Sequence, residues 1–106
     1  MDIEYLRRFI AIGQFLNFRK ASDALFVSQP ALSHSIAALE KEIGTAVFIR
    51  NTKNVSLTPA GNILLDSASQ ILDIYEKALS EISKVASAND NILRIGYVGA
   101  ALDNSL

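Results

Sequence analysis

The feature that most constrains this chain is residues 18–39, FRKASDALFVSQPALSHSIAAL, where start signals for two helices are crowded together. The first helix is expected over about 18–25, with Ala21, Ala24 and Leu25 on one face. The second is expected over 29–42. Ser28 is its natural cap, because a serine hydroxyl accepts from an orphan N–H of the first turn. Pro30 falls in that turn, where a missing N–H costs nothing and a fixed φ helps. Ala31, Leu32, Ser35, Ile36 and Leu39 recur at three- and four-residue steps and form the buried edge. The opposite face runs through Ser28, Gln29, Ser33, His34 and Ala37, and is short-chained, polar and almost free of acids. Such a face at the N-terminal end of a helix can enter a DNA major groove. The plainer reading of the same spacing is a small helical hairpin with no ligand.

The segments on either side complete a fold. A first helix is expected over 3–13, with Ile3, Leu6, Phe9 and Ile10 on one side, Arg7 and Arg8 elsewhere, and Asp2 as cap or first-turn acid. Gly13 and Asn17 bracket a break that Phe15 and Phe18 anchor in the core. Gly44 is the left-handed stop of the third helix. Two β-prone runs, 47–50 and 55–57, flank a polar tip and predict a hairpin with Phe48 as its buried foot. A lone hairpin is marginal, so it must pack on the helices. The expected class is therefore mainly α: a winged helix-turn-helix of three helices plus a short β-hairpin wing, over residues 1–65, followed by a long dimerisation helix.

That fourth helix is capped by Thr58, with Pro59 at its first position, and spans 58–88 as a linker. Gly61 sits early in it, where the absence of a side chain permits close packing on the core. Leu64, Ala68, Ile71, Tyr75, Ala78, Ile82 and Val85 step alternately by four and three, a heptad stripe. Leu65, Leu72, Leu79 and Ala86 widen it. A helix of roughly 30 residues would extend about 45 Å, longer than the core needs. The stripe calls for a second copy of itself, the alternative being a long packing helix buried by its own chain. Residues 87–91, SANDN, are polar and hinge-like, and 92–98, ILRIGYV, read as a β-strand. A strand does not stand alone at an exposed end. Residues 89–106 are therefore expected to be a hinge and the truncated start of a further domain.

Composition narrows the function. The chain has 106 residues and no cysteine, so it has room for little more than one domain and holds no disulfide, thiolate metal site or cysteine nucleophile. Residues 1–6 carry two acids and do not resemble a signal peptide, and no window approaches the roughly 18 apolar residues that span a bilayer. A cytoplasmic protein without a membrane partner is expected. Net charge is −1, but residues 1–65 hold seven Arg or Lys against five acids, and 66–106 hold three against six. Phosphate binding must rest on a few placed groups and on helix N-termini. Asp23, Glu40, Glu42 and Asp66 are scattered on faces read as solvent-facing. With neither a hydroxyl–histidine–carboxylate order nor a glycine-rich phosphate loop, no enzyme is expected.

Taken together, Leu6, Phe9, Phe18, Ala21, Ala24, Leu25, the run Val27-Ser28-Gln29-Pro30-Ala31-Leu32-Ser33, Ile36, Leu39-Glu40, Gly44, Phe48, Arg50, Leu57-Thr58 and Ala60-Gly61 closely resemble the N-terminal DNA-binding domain of the LysR-type transcriptional regulators. The match covers about residues 2–65, and the linker helix by pattern only. Residues 92–99 resemble the first strand of that family's effector-binding domain, of periplasmic-binding-protein-like α/β fold. The resemblance implies a regulator that binds promoter DNA as a dimer, with antiparallel linker helices, and as a tetramer at full length. It implies no cofactor for these residues and a small-molecule co-inducer for the effector domain. RNA polymerase is a further candidate partner. The chain departs from the family's usual pattern at Ser22, often alanine, at His34, often arginine, at Ala37 and Ala38, often basic nearby, and at Asn51, often arginine. Its reading surface is electrostatically light.

Individual residues carry competing roles. Gln29 can pair bidentately with adenine, or only solvate the first turn. Ser33 can reach a base edge or phosphate, or face solvent. Pro30 can touch a thymine methyl, though it is first a helix starter. His34 has no second metal ligand at useful spacing, so it contacts phosphate or base, or is plainly exposed. Ala37 lies on the same face. Arg19 and Lys20 start the preceding helix, a good place for backbone contacts. Arg50 and Lys53 sit on the hairpin, in reach of phosphate or minor groove, or are simply a solvated tip. Ser28 and Thr58 bring helix-start N–H groups towards phosphate. A protein-interaction module built on the long helix alone, without DNA binding, is the alternative, and a binding assay on duplex DNA separates the two.

Overall fold

The computed structural model describes residues 1–51 and 54–88. Lys53 and the strand read at 92–98 lie outside the described residues, as do positions 89–91 of the polar segment. The element order is α1 (Ile3–Phe15), α2 (Phe18–Leu25), α3 (Gln29–Ile43), β1 (Phe48–Arg50), β2 (Val55–Leu57) and α4 (Pro59–Ala88). This is the mainly helical winged arrangement expected, with the hairpin antiparallel and Phe48 opposite Leu57, Ile49 opposite Ser56 and Arg50 opposite Val55.

Capping explains most boundaries. The Tyr5 N–H donates to Asp2 Oδ1 at 3.0 Å and opens α1. Contrary to expectation, Gly13 does not end that helix. It lies against Leu65, whose Cδ1 would be 3.1 Å from an added Cβ, so glycine serves close packing there. The chain breaks instead at Leu16, which takes a left-handed conformation (φ 50°), and at Asn17, whose side chain accepts from the Lys20 N–H at 2.8 Å and caps α2. Phe15 is exposed rather than an anchor, because the two extra residues of α1 carry it past the core.

Within α2 the buried residues are Ala21 and Ser22, not Ala24. Ala21, Ser22 and Leu25 stand three, four and seven residues after half-buried Phe18, on its side of the helix, and Ala24, six after it, is exposed. Ser22 keeps its hydroxyl satisfied inside by donating to the Arg19 carbonyl at 2.8 Å. Phe26 then turns the chain in a left-handed conformation (φ 58°) and leaves its ring exposed. Ser28 caps α3 by accepting from the Ala31 N–H at 3.1 Å. Gly44, at φ 93°, closes it by donating to the Glu40 carbonyl at 2.8 Å.

The core is Phe9 and Ile12 of α1, Ala21 of α2, Leu32, Ile36 and Leu39 of α3, Val47 and Phe48 of the hairpin, and Ala68 of α4. Leu64, Leu65 and Leu72 pack against it. Arg8 crosses from α1 to α3, where its Nη1 donates to the Ser35 hydroxyl at 2.6 Å. Glu40, read as solvent-facing, has a structural role: the Val47 and Phe48 N–H groups donate to its Oε2 at 2.8 and 3.4 Å. Thr58 joins three segments. Its N–H donates to the Val47 carbonyl at 3.0 Å, its hydroxyl donates to the Ala46 carbonyl at 2.7 Å, and that same oxygen accepts from the Gly61 N–H at 2.9 Å.

The chain divides into two compact units, Met1–Asp73 and a second beginning at Ile74. In the first, Ala68 is fully buried and Leu64 is packed on the core of its own chain. Ala68 therefore offers no surface to a second copy, which corrects its place on the dimerisation stripe, while Leu64 is half-buried against the core of its own chain. Ile63 and Ile71 remain exposed there. In the second unit Ile74, Leu79, Ile82 and Val85 are exposed and Tyr75 is half-buried. No helix among the described residues is long and apolar enough to cross a membrane.

Candidate nucleic-acid interface

Three pieces of the first unit meet at one open cleft. The start of α2 contributes Asn17 and Arg19, the start of α3 contributes Gln29 and Ser33, and the wing contributes Arg50 and Asn51. Four of the six, Arg19, Gln29, Ser33 and Arg50, are residues singled out by sequence. Each is placed by a cap or a strand. Asn17 fixes where α2 begins, and Ser28 with Pro30 fixes where α3 begins. The short ladder sets the height of Arg50 above Val55.

Along α3, Gln29, Pro30, His34 and Ala37 are exposed and Ser33 is half-exposed, while Leu32, Ser35, Ile36 and Leu39 are buried. The outward face therefore carries the donor and acceptor capacity of one amide at Gln29, one hydroxyl and one imidazole, and no carboxylate between residues 29 and 39. Arg19 and Lys20 are exposed at the start of α2. The Thr58 hydroxyl both donates to the Ala46 carbonyl and accepts from the Gly61 N–H, so a contact there falls to the helix-start N–H groups, whereas the Ser28 oxygen accepts from the Ala31 N–H.

Arg50 is the best-placed cation. Its Cζ lies 4.2 Å from the centroid of the Phe18 ring. Among the described residues no carboxylate lies within ion-pair distance of it; the ion pairs join Met1 with Glu42 and Arg7 with Glu4. Sequence reasoning missed Asn17, Asn51 and Asn54 as lining residues of this cleft. The signal for the last two was their asparagine pair: the Asn54 N–H donates to Asn51 Oδ1 at 2.7 Å.

The family model for "Bacterial regulatory helix-turn-helix protein, lysR family" matches residues 3–62. Among curated relatives, the HTH-type transcriptional regulator BudR of Klebsiella aerogenes is 40% identical over 94% of this chain and 70% of its own length. The Hca operon transcriptional activator HcaR of Escherichia coli (strain K12) is 39% identical over 100% of this chain and 36% of its own length. The chain spans about a third of the length of several other relatives it matches. Among solved structures, the BenM DBD/catB site 1 DNA complex superposes with a TM-score of 0.79 at 33% identity, covering 82% of this chain and 97% of that one. The winged arrangement, the matched residues and these likenesses agree: the chain belongs to the lysR family of bacterial regulatory helix-turn-helix proteins.

Proposed function

We propose that this chain is the sequence-specific, double-stranded-DNA-binding part of a cytoplasmic transcriptional regulator. It binds promoter DNA as a homodimer on an inverted repeat. The observation that carries the reading is the single cleft at which the acid-free face of α3 meets Arg19 and Arg50. In this reading α3 lies in the major groove, with Gln29, Pro30 and Ser33 at base edges and His34 and Ala37 on the flank. Arg19, Lys20, Arg50, Lys53 and the helix starts at Ser28 and Thr58 meet the backbone. A second copy is joined through the exposed Ile71, Ala78, Ile82 and Val85 of α4, with Tyr75 beside them. The solved neighbour described as a DNA complex supports the DNA half of the reading. A co-inducer-responsive domain and tetramer formation belong to the longer protein that the relatives' lengths suggest. A module working through α4 alone would leave the α3–wing cleft without a task.

Gln29→Ala is expected to weaken binding to the cognate site by roughly 1–3 kcal/mol, the worth of one bidentate adenine contact. On scrambled duplex the loss should be much smaller, because non-specific affinity comes from phosphates. The cognate site is first obtained by selecting genomic fragments with the full-length protein, and the two duplexes are then titrated at one stated salt concentration. Equal weakening on both would show that Gln29 only positions the helix and that specificity comes from DNA shape.

Arg50→Ala tests the wing. It should weaken binding to all sequences by a similar factor and flatten the salt dependence by about one unit of slope, as loss of one neutralised phosphate requires. A slope that does not change would remove Arg50 from the phosphate contacts. Loss confined to sites with A·T-rich flanks would assign it to the minor groove instead.

A further inference from the structure

Arg50 is not a free-swinging surface cation. Phe48 and Arg50 are two residues apart on β1, so their side chains share one face of the strand, and Ile49 between them points the other way. Phe48 is buried and its ring centroid lies 5.2 Å from that of Phe9, which is fully buried. Phe18 meets Phe48 edge-on, with centroids 5.9 Å apart and planes at 72°. The Arg50 guanidinium then lies over the Phe18 ring. The sequence of contacts runs from the centre of the core outward: Phe9, Phe48, Phe18, Arg50. The ring beneath the cation is half-buried and braced from below by Phe48.

We propose that Phe18 is a positioning residue for DNA binding: its ring holds the Arg50 guanidinium at the edge of the α3–wing cleft before DNA arrives. The inference rests on the DNA-binding reading of that cleft. An arginine side chain carries a large rotamer entropy, and a contact made by a pre-ordered group loses less of it. A cation held by a ring also keeps its N–H donors from being tied up by a carboxylate, and no carboxylate competes for Arg50 among the described residues. The placement puts the donors beside Gln29 and Ser33, which line the same cleft. Arg50 therefore meets the phosphate that borders the bases read by α3, not a phosphate at the far tip of the wing.

The test is a double-mutant cycle in DNA affinity. The probe is a mixed-sequence duplex three helical turns long, since a phosphate contact registers on any sequence. Phe18→Leu should weaken binding roughly two- to five-fold when Arg50 is present, in line with a cation–π contact at an exposed site. In the Arg50→Ala background the same change should leave affinity unaltered. Phe18→Tyr, which keeps the ring, should bind as the unmutated chain does. Equal losses from Phe18→Leu in both backgrounds would overturn the proposal and reduce Phe18 to a packing residue. No binding by the unmutated chain would overturn the DNA reading itself, a different result from equal losses. Circular dichroism checks that each variant is folded. If Phe18→Leu does not fold, proton NMR of the unmutated chain decides: the Arg50 side-chain protons should lie upfield of those of Arg19 through the ring current of Phe18, and coincident shifts would overturn the proposal.

Discussion

Gly61→Ala is expected to cost the fold about 3 kcal/mol, the upper end of ordinary overpacking. The sign is opposite to that of the usual exchange, since inside a helix alanine is better than glycine by about 1 kcal/mol. An alanine Cβ at this position would stand 2.1 Å from the Val47 carbonyl oxygen and 3.0 Å from both the Val47 carbonyl carbon and Leu57 Cδ2. A Cβ has no torsion with which to turn aside, and the oxygen it meets is backbone. That oxygen also accepts from the Thr58 N–H. Lifting the start of α4 far enough to admit the methyl strains this bond and the Thr58–Ala46 bond, and draws Leu64, Leu65 and Ala68 out of the core. Gly13→Ala is the matched control. Its Cβ would meet Leu65 Cδ1 at 3.1 Å, the end of a flexible side chain that can give way, so a small change is expected. Urea unfolding followed by circular dichroism reads both. A Gly61→Ala variant as stable as the unmutated chain would show that the close approach to Val47 is not required.

Ile71→Asp should convert the proposed dimer to a monomer. Ile71 is 45% exposed in the single chain, on the α4 stripe, and is not among the residues packed on the core. A symmetric interface uses each position twice, so the variant places two carboxylates where two isoleucines met. Burying even a neutral polar group without a partner costs roughly 2–7 kcal/mol, and a charge costs more. Repulsion between the two copies adds to this. Because the side chain is not in the core of its own chain, the monomer should keep its fold. Sedimentation at micromolar concentration should show twice the 11.5 kDa chain mass for the unmutated protein and the single mass for the variant. A single-mass species for the unmutated protein would remove the dimer from the proposal, and a variant that stays at twice the mass would place the interface elsewhere.

The readable parts of this fold are those decided locally. Ser28, Pro30 and Gly44 bound α3 because cap chemistry acts over three or four residues, and the α3 boundaries follow from them within one residue. The hairpin followed from alternating β-prone residues around an asparagine-rich tip. What sequence could not supply were contacts made at long range. Gly13 read as a break because glycine usually is one, but Leu65, far along the chain, makes it a packing position. Glu40 read as solvated until Val47 and Phe48 came to it. Periodicity placed Leu64 and Ala68 on one stripe with Ile71 and Val85. A period does not say whether the apolar neighbour is the same chain or another, and for Leu64 and Ala68 it is the same chain. At the candidate site, Gln29, Ser33, Arg19 and Arg50 were legible as separate residues. Their meeting in one cleft, and the ring under Arg50, depend on how α2 and the wing pack.

Glu40 has a consequence for how such a protein would gauge DNA. Its carboxylate takes two N–H groups of the wing's first strand, and charge-assisted bonds of this kind are stiffer than neutral ones. The far end of α3 and the root of the wing are thus clamped, and the gap between them is a dimension of the protein. On the proposed DNA-binding reading, α3 and wing would act as the two jaws of a calliper with a locked screw. Duplexes whose groove already spans the jaws would be gripped without distortion, and others would have to deform, at an energy that depends on base steps the protein never touches. Loosening the clamp with Glu40→Gln would let the jaws follow the duplex, widening the range of DNA accepted while the contacting side chains stay the same.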